Sequence, residues 1–361
     1  MSGTGVRGKA EMSRAATDAA GPLGPLGGLW RLTLVRHTTW ALLTGAGLLL
    51  LSLALSPYHN LQLAQVGYIT CAAAGLTMLT GLGGQISLGH GAFMAVGAYT
   101  AALLLEHQSW PLAVVMAAAA AATAVVGLIV GVGAARLHGP YLAGATLALA
   151  VGLPGLANYG PLTGWLHGQE GLSVAPSPPP LALGETFPLE RWQAWISCLA
   201  TVITMWFLAN LIHGRFGRSL RATRDDEIAA ALSGIKVARV RIIASVAAAA
   251  AAGLGGGLLA VVATLAAPGA FTLTLSLQLI AAIILGGLGS LAGAVWGSLI
   301  LVLVPSWASD YAASANVPHD IASNLPPAIF GLVLIGVMLV FPRGLQGALR
   351  IGVRRLRALK S

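Results

Sequence analysis

Long apolar runs dominate this chain, and the polar residues between them come in short bursts. A helix that crosses the hydrocarbon of a bilayer needs about 20 residues. Runs of that kind lie near 38–56, 61–80, 86–105, 111–135, 141–158, 192–212, 242–264 and 323–341. A ninth apolar stretch, 276–304, is broken by Gly286-Gly287-Leu288-Gly289-Ser290. The pattern predicts an all-α, polytopic membrane helical bundle of about eight full spans. The ninth stretch is expected as a split or re-entrant helical pair, each half about 14 residues long. Pro154, between Gly152 and Gly155, is expected to break or kink the 141–158 span.

Charge orients these spans. The chain holds 20 Lys and Arg, and all but Arg191 fall on one side of the arrangement: in the N-terminal arm, at Arg136, in the 213–241 loop and in the tail. Basic residues mark the cytoplasmic side. Both chain ends and the 213–241 loop are therefore expected in the cytoplasm, with the proline-bearing loop 159–191 outside. The expected division is a disordered basic arm over 1–36, a transmembrane domain over 37–347 and a basic tail over 348–361. The arm reads as having no cleavable signal peptide.

Composition agrees. The chain is 57% hydrophobic and 9% charged, whereas soluble domains are about 25% charged. The formal net charge of +9 is read as topology rather than nucleic-acid binding, because the basic residues flank apolar spans. Cys71 and Cys198 both lie in apolar runs, so neither a disulfide framework nor a zinc site is indicated. None of the 11 Asp and Glu lies in the middle of a run. A proton- or sodium-coupled carrier usually keeps an ionisable group there, so energy is expected from elsewhere.

Two stretches stand out within this frame. The first is the charged loop, with Arg218, Arg221 and Arg224 before Asp225-Asp226-Glu227 and Gly234 after them. Thr223 is expected to cap a helix over about three turns, 224–233, and Gly234 to end it in a left-handed conformation. A capped helix between two spans transmits force, whereas a solvated loop would only set topology. The second is Thr80–Phe93, in which Gly83, Gly84 and Gly89 stand among Gln85, Ser87 and His90. Unwound backbone at membrane depth occurs where it is buried in protein or lines an aqueous path. Gln85, Ser87 and His90, with Thr146 and Asn158 near the kinked span, are the candidate translocation-pathway residues. The competing reading is that the glycines only let helices cross closely. His90 has no second metal ligand at useful spacing, and no cofactor is called for. Gly286, Gly287 and Gly289 form a second cluster of similar texture and complete the candidate hinge set.

Four ordered blocks carry a family resemblance: TGLGGQISLGHGAFMAVGAYTAALL (80–104), GRSLRATRDDEIAAALSGIKVARVR (217–241), LGGLGSLAGAVWGS (285–298) and FPRGLQG (341–347). Together they resemble the LivM-type permeases of branched-chain amino-acid ABC transporters, over about 57–347. The resemblance implies a non-catalytic permease subunit in the bacterial inner membrane. Its implied partners are a second homologous permease, two cytoplasmic ATP-binding subunits and an external solute-binding protein. It implies that Arg218, Arg221, Arg224, Asp225, Asp226, Glu227 and Gly234 form the segment that couples to an ATPase. Lys9, Lys236 and Lys360 are the only lysines, and none completes a phosphate-binding Walker pattern, which places ATP hydrolysis in a partner. Urea, amide and aromatic-acid importers have similar permeases, so their substrates stand beside branched-chain amino acids. A self-contained secondary carrier or channel is the reading from a different class.

Overall fold

Small residues set how closely the helices of this bundle approach one another. The computed structural model describes residues 33–107, 110–136, 140–184, 186–315, 318, 322, 324–342 and 344–358. Most of the expected arm (1–32), Glu185, Asp320, Arg343 and the end of the tail (359–361) lie outside the described residues.

The helices follow in order: α1 Thr33–Ala54, α2 Pro57–Leu76, α3 His90–His107, α4 Leu112–Ala134, α5 Pro140–Leu156 and the short α6 Gly160–Leu166. Then come α7 Leu189–His213, α8 Arg215–Asp225, α9 Glu227–Leu232 and α10 Val237–Ala263. The last four are α11 Leu273–Gly286, α12 Leu291–Ser314, α13 Leu325–Val340 and α14 Gly344–Ala358. A π-helical turn, Thr77–Leu82, prolongs α2. The all-α bundle is as expected. Among the described residues, 7 helices are long and apolar enough to cross a membrane. Six of them match expected spans, and α12 is the seventh.

Two of the expected spans are shorter than a membrane-crossing run. Helix α3 begins only at His90 because the chain stays unwound through the glycines before it. Helix α5 has 17 residues and carries Pro154 in its last turn, so the proline ends the helix rather than kinking it midway. The ninth stretch does split at the glycines, but unequally. Helix α11 has 14 residues, as expected, whereas α12 has 24. Helix α12 runs on through Pro305 and the polar residues after it, a stretch expected to be loop. The Ser306 hydroxyl donates to the Val302 carbonyl at 2.8 Å, adding a bond in the turn where the proline removes an N–H.

Helix α10 is the centre. It and α2 are buried over most of their length, whereas α1 and α13 have almost no buried residues. Helices α2 and α4 run antiparallel to α10. A methyl group at Gly75 would come within 2.6 Å of the Ala248 carbonyl oxygen, and one at Gly255 within 2.6 Å of that of Tyr68. On α4, Gly131 faces Ser245, while Thr123 fills the space beside Gly253. Helix α3 crosses α10 with Gly97 against the Gly253 backbone and Gly256 against that of Met94. Lipid supplies no hydrophobic force between helices, so such backbone-to-backbone approach is a main source of adhesion. A two-stranded antiparallel ladder, β1 Leu172–Ser173 with β2 Leu265–Ala266, closes the end of the bundle beyond the C-terminus of α10. Helices α8 and α9 lie at the opposite end.

Candidate functional site

Helix α2 does not stop cleanly. Its π-turn hands over to a segment, 83–89, with no regular structure. The Gly83, Gly84 and Gln85 amides donate to the carbonyls of Met78 (3.1 Å), Thr80 (3.1 Å) and Leu79 (3.2 Å). The Thr80 hydroxyl reaches forward to the Gln85 carbonyl at 2.9 Å. Gly84 has φ +66, a left-handed conformation that a side chain would strain. π-turns of this kind recur at functional sites.

The segment carries the chain from the α8–α9 end of the bundle, where Gly83 meets Leu220 and Gly84 meets Arg224, to the start of α3 at His90. Two other helices hold the new start. The Thr146 hydroxyl of α5 accepts the Leu88 amide at 3.1 Å, and the Ser276 hydroxyl of α11 accepts the Gly91 amide at 2.9 Å. Gly89 packs on Thr146 and Gly91 on Ser276. The His90 ring stands edge-on to Phe93 at 5.7 Å.

This stretch holds a concentration of unpaired polar atoms. Among the described residues, Gln85 Nε2, Ser87 Oγ and both ring nitrogens of His90 are buried and have no hydrogen-bond partner. Such a group costs about 1–3 kcal/mol when buried unpaired, and native structures contain few. Their clustering in unwound backbone, at the positive end of α3, marks a place built for something other than stability. The structure thus brings together Gln85, Ser87, His90 and Thr146. Asn158 does not join them. It is exposed just beyond the C-terminal end of α5, 12 residues along from Thr146.

The charged loop folds into two helices, not one. Helix α8 runs from Arg215 to Asp225, the chain is extended at Asp226 (φ −155, ψ 111), and α9 is only 6 residues long. The expected cap, Thr223, is instead buried inside α8, its hydroxyl bonded to the Ser219 carbonyl at 2.9 Å. Asp226 is the N-cap, its carboxylate accepting the Ala229 amide at 3.0 Å. Aspartate caps at least as well as threonine, and the acid nearest the free amides takes them. Gly234, at φ +84, ends α9 as expected. The signal for α8 was present in Phe216, Leu220 and Thr223, which are spaced on one helical face.

The loop's charges divide by direction. Glu227 pairs with Arg241 of α10 at 2.7 Å. Arg221 turns back towards the Ile212 carbonyl at 3.5 Å, and Arg218 is exposed. Arg224 points inward, donating from Nη1 to the Gly81 carbonyl at 3.1 Å. On α9, Ile228 and Leu232 are strongly exposed. With Glu227, Ala231 and Val237 they line a shallow concavity of about 640 Å³.

The glycine clusters touch each other. A methyl group at Gly81 would come within 2.5 Å of the Gly289 amide nitrogen, and one at Gly344 within 2.6 Å of that of Gly287. Gly287 and Gly289 have φ +116 and +81, and Gly286 abuts the Gly293 backbone. The Trp296 indole N–H donates to Gln346 at 3.0 Å. The segments 80–93, 217–241, 285–298 and 341–347 therefore meet in one hub at the α8–α9 end. Among the described residues no group of His, Cys, Asp and Glu could hold a metal ion.

The family model described as "Branched-chain amino acid transport system / permease component" matches residues 61–342, most of the chain and all of this hub up to the start of its last segment. The chain belongs to that permease family. It is 31% identical to the high-affinity branched-chain amino acid transport system permease protein LivM of Escherichia coli K12, over 63% of this chain and 58% of that protein. It is 30% identical to LivM of Salmonella typhimurium, again over 58% of the relative's length. LivH of Salmonella typhimurium is 27% identical over 76% of this chain and 90% of its own. The chain thus spans less than two thirds of the LivM relatives it matches. No solved structure matches it. Family and apolar helices together make this permease a multi-pass membrane protein.

Sequence reasoning missed several residues of the permease hub. Ser276 looked like one more small polar residue in an apolar run, and only the fold carries it to Gly91. Gly81 and Leu220 gain meaning from contacts across some 140 residues of chain. The Glu227–Arg241 pair was visible as two opposite charges, but its span of 14 residues had no local register to suggest it.

Proposed function

We propose that this chain is the membrane-spanning permease subunit of an ATP-driven importer of branched-chain amino acids. It pairs with a second, homologous permease, is driven by two cytoplasmic ATP-binding subunits and receives substrate from an external binding protein. It lies in the bacterial inner membrane with both chain ends in the cytoplasm. The family match over 61–342 carries this reading. The lack of a Walker pattern and of mid-span carboxylates supports it, since energy must then enter from a partner.

Roles follow from geometry. Gln85, Ser87 and His90, held by Thr146 and Ser276, line the path with exchangeable hydrogen-bonding groups. The α8–α9 elbow faces the ATP-binding subunit. Ile228 and Leu232 supply the apolar contact, with Arg218 and Arg221 around them, while Asp225, Asp226, Glu227 and Gly234 hold the elbow's shape. Gly83, Gly84, Gly89, Gly286, Gly287 and Gly289 are its hinges and close contacts.

The test is copurification with partner subunits, then ATPase stimulation by loaded binding proteins in vesicles. Proteins loaded with leucine, isoleucine or valine should raise hydrolysis several-fold and drive uptake. Stimulation only by urea- or amide-loaded proteins would overturn the substrate. Flux through vesicles holding this chain alone would overturn the importer.

A further inference from the structure

An importer of this kind needs a part that carries movement from the docking elbow into the spans, and one side chain bridges that gap. Arg224 stands in the last turn of α8. Its Nε and Nη2 fork onto Asp225 Oδ1 at 2.9 and 2.7 Å, while Nη1 donates to the Gly81 carbonyl inside the π-turn at 3.1 Å. Its aliphatic stem lies against Gly84, where a methyl group would come within 2.7 Å of Arg224 Cγ. One turn earlier on the same face, fully buried Leu220 packs on Gly83, within 3.1 Å of where a methyl there would sit. Helix α8 thus grips the start of the unwound segment at two successive positions.

We propose that Arg224 is a transmission strut rather than a docking residue, a positioning group through which elbow movement displaces the unwound segment 83–89. This rests on the importer reading. Four features carry it. First, each of the three guanidinium nitrogens donates within this chain, Nε and Nη2 to Asp225 and Nη1 to Gly81. Second, the guanidinium is planar and rigid, and holds two partners in fixed relation. Third, the backbone it grips is a π-turn followed by irregular chain, which shifts more cheaply than a regular helix. Fourth, Gly81 abuts Gly289, so a pull on Gly81 reaches the α11–α12 break as well. Glu227–Arg241 ties α9 to α10 separately, leaving Arg224 as the link aimed at the pathway.

The test uses the full complex in vesicles. Arg224→Ala should leave subunit copurification intact and basal ATPase within about twofold, yet lower substrate carried per ATP at least tenfold. Arg224→Lys, which reaches Gly81 but cannot fork Asp225, should rescue part of the ratio. A second readout places a thiol at Ile86, exposed in the unwound segment, by Ile86→Cys. Cys71 and Cys198 are buried. Maleimide labelling at position 86 should change between nucleotide-free and ATP-bound complex, and stop changing when Arg224→Ala is added. An unchanged transport ratio together with unchanged labelling response overturns the strut. Loss of the ATPase subunits from the Arg224→Ala complex also overturns it, since that marks a docking residue. A chain with Arg224 intact that recruits no ATPase overturns the importer reading and the strut with it.

Discussion

Buried polar atoms without partners are the feature at residue scale that separates function from stability. The four unpaired atoms on Gln85, Ser87 and His90 each cost free energy. His90→Leu and Ser87→Ala should therefore leave the thermal midpoint unchanged or raise it, while uptake falls at least tenfold. Full uptake in both variants would remove these residues from the path. Gly84 is the opposite case. Its φ of +66 and its contact with Arg224 both forbid a side chain, so Gly84→Ala should cost about 1–3 kcal/mol, seen as a lower melting temperature of the purified complex. Asp226→Ala removes the α9 cap at a cost of about 1 kcal/mol. Amide hydrogen exchange should quicken over 227–233 and not in α10.

Elements pack here by closeness rather than by bulky cores. Gly97 and Gly256 allow α3 and α10 to meet backbone to backbone. Gly256→Val should force them apart and destabilise by at least about 1–3 kcal/mol, the usual cost of overpacking, read as lost thermal stability in detergent. Gly144 of α5 is the control. Among the described residues nothing lies within 4 Å of a methyl placed there, and Gly144→Ala should be neutral or stabilising by up to about 1 kcal/mol, because alanine is the better helix former. Equal damage from both changes would mean that glycine serves flexibility, not approach. At the elbow, one local rule decided between two helix starts. Thr223 and Asp226 both look like caps in sequence, but a threonine hydroxyl satisfied by the carbonyl four residues back has no need of a helix start.

At the scale of the whole molecule, two exposed helices, α1 and α13, flank a core built on α2 and α10. Bilayer-scale runs of apolar residues announced that architecture, since backbone in lipid must bond to itself and helices are the only open-chain way to do so. The sequence alone thus determined the all-α membrane bundle, the break at 286–290, the unwound glycine stretch before His90 and the left-handed stop at Gly234. Each is written locally, in run length or in a residue that permits one backbone conformation. It did not determine that Thr146 and Ser276 hold the start of α3, that Asn158 stands apart, that α12 continues through Pro305, or that Arg224 turns inward to Gly81. Those outcomes depend on which helices become neighbours. Neighbours are chosen by close fit between small residues far apart in the chain, and no local pattern records that fit.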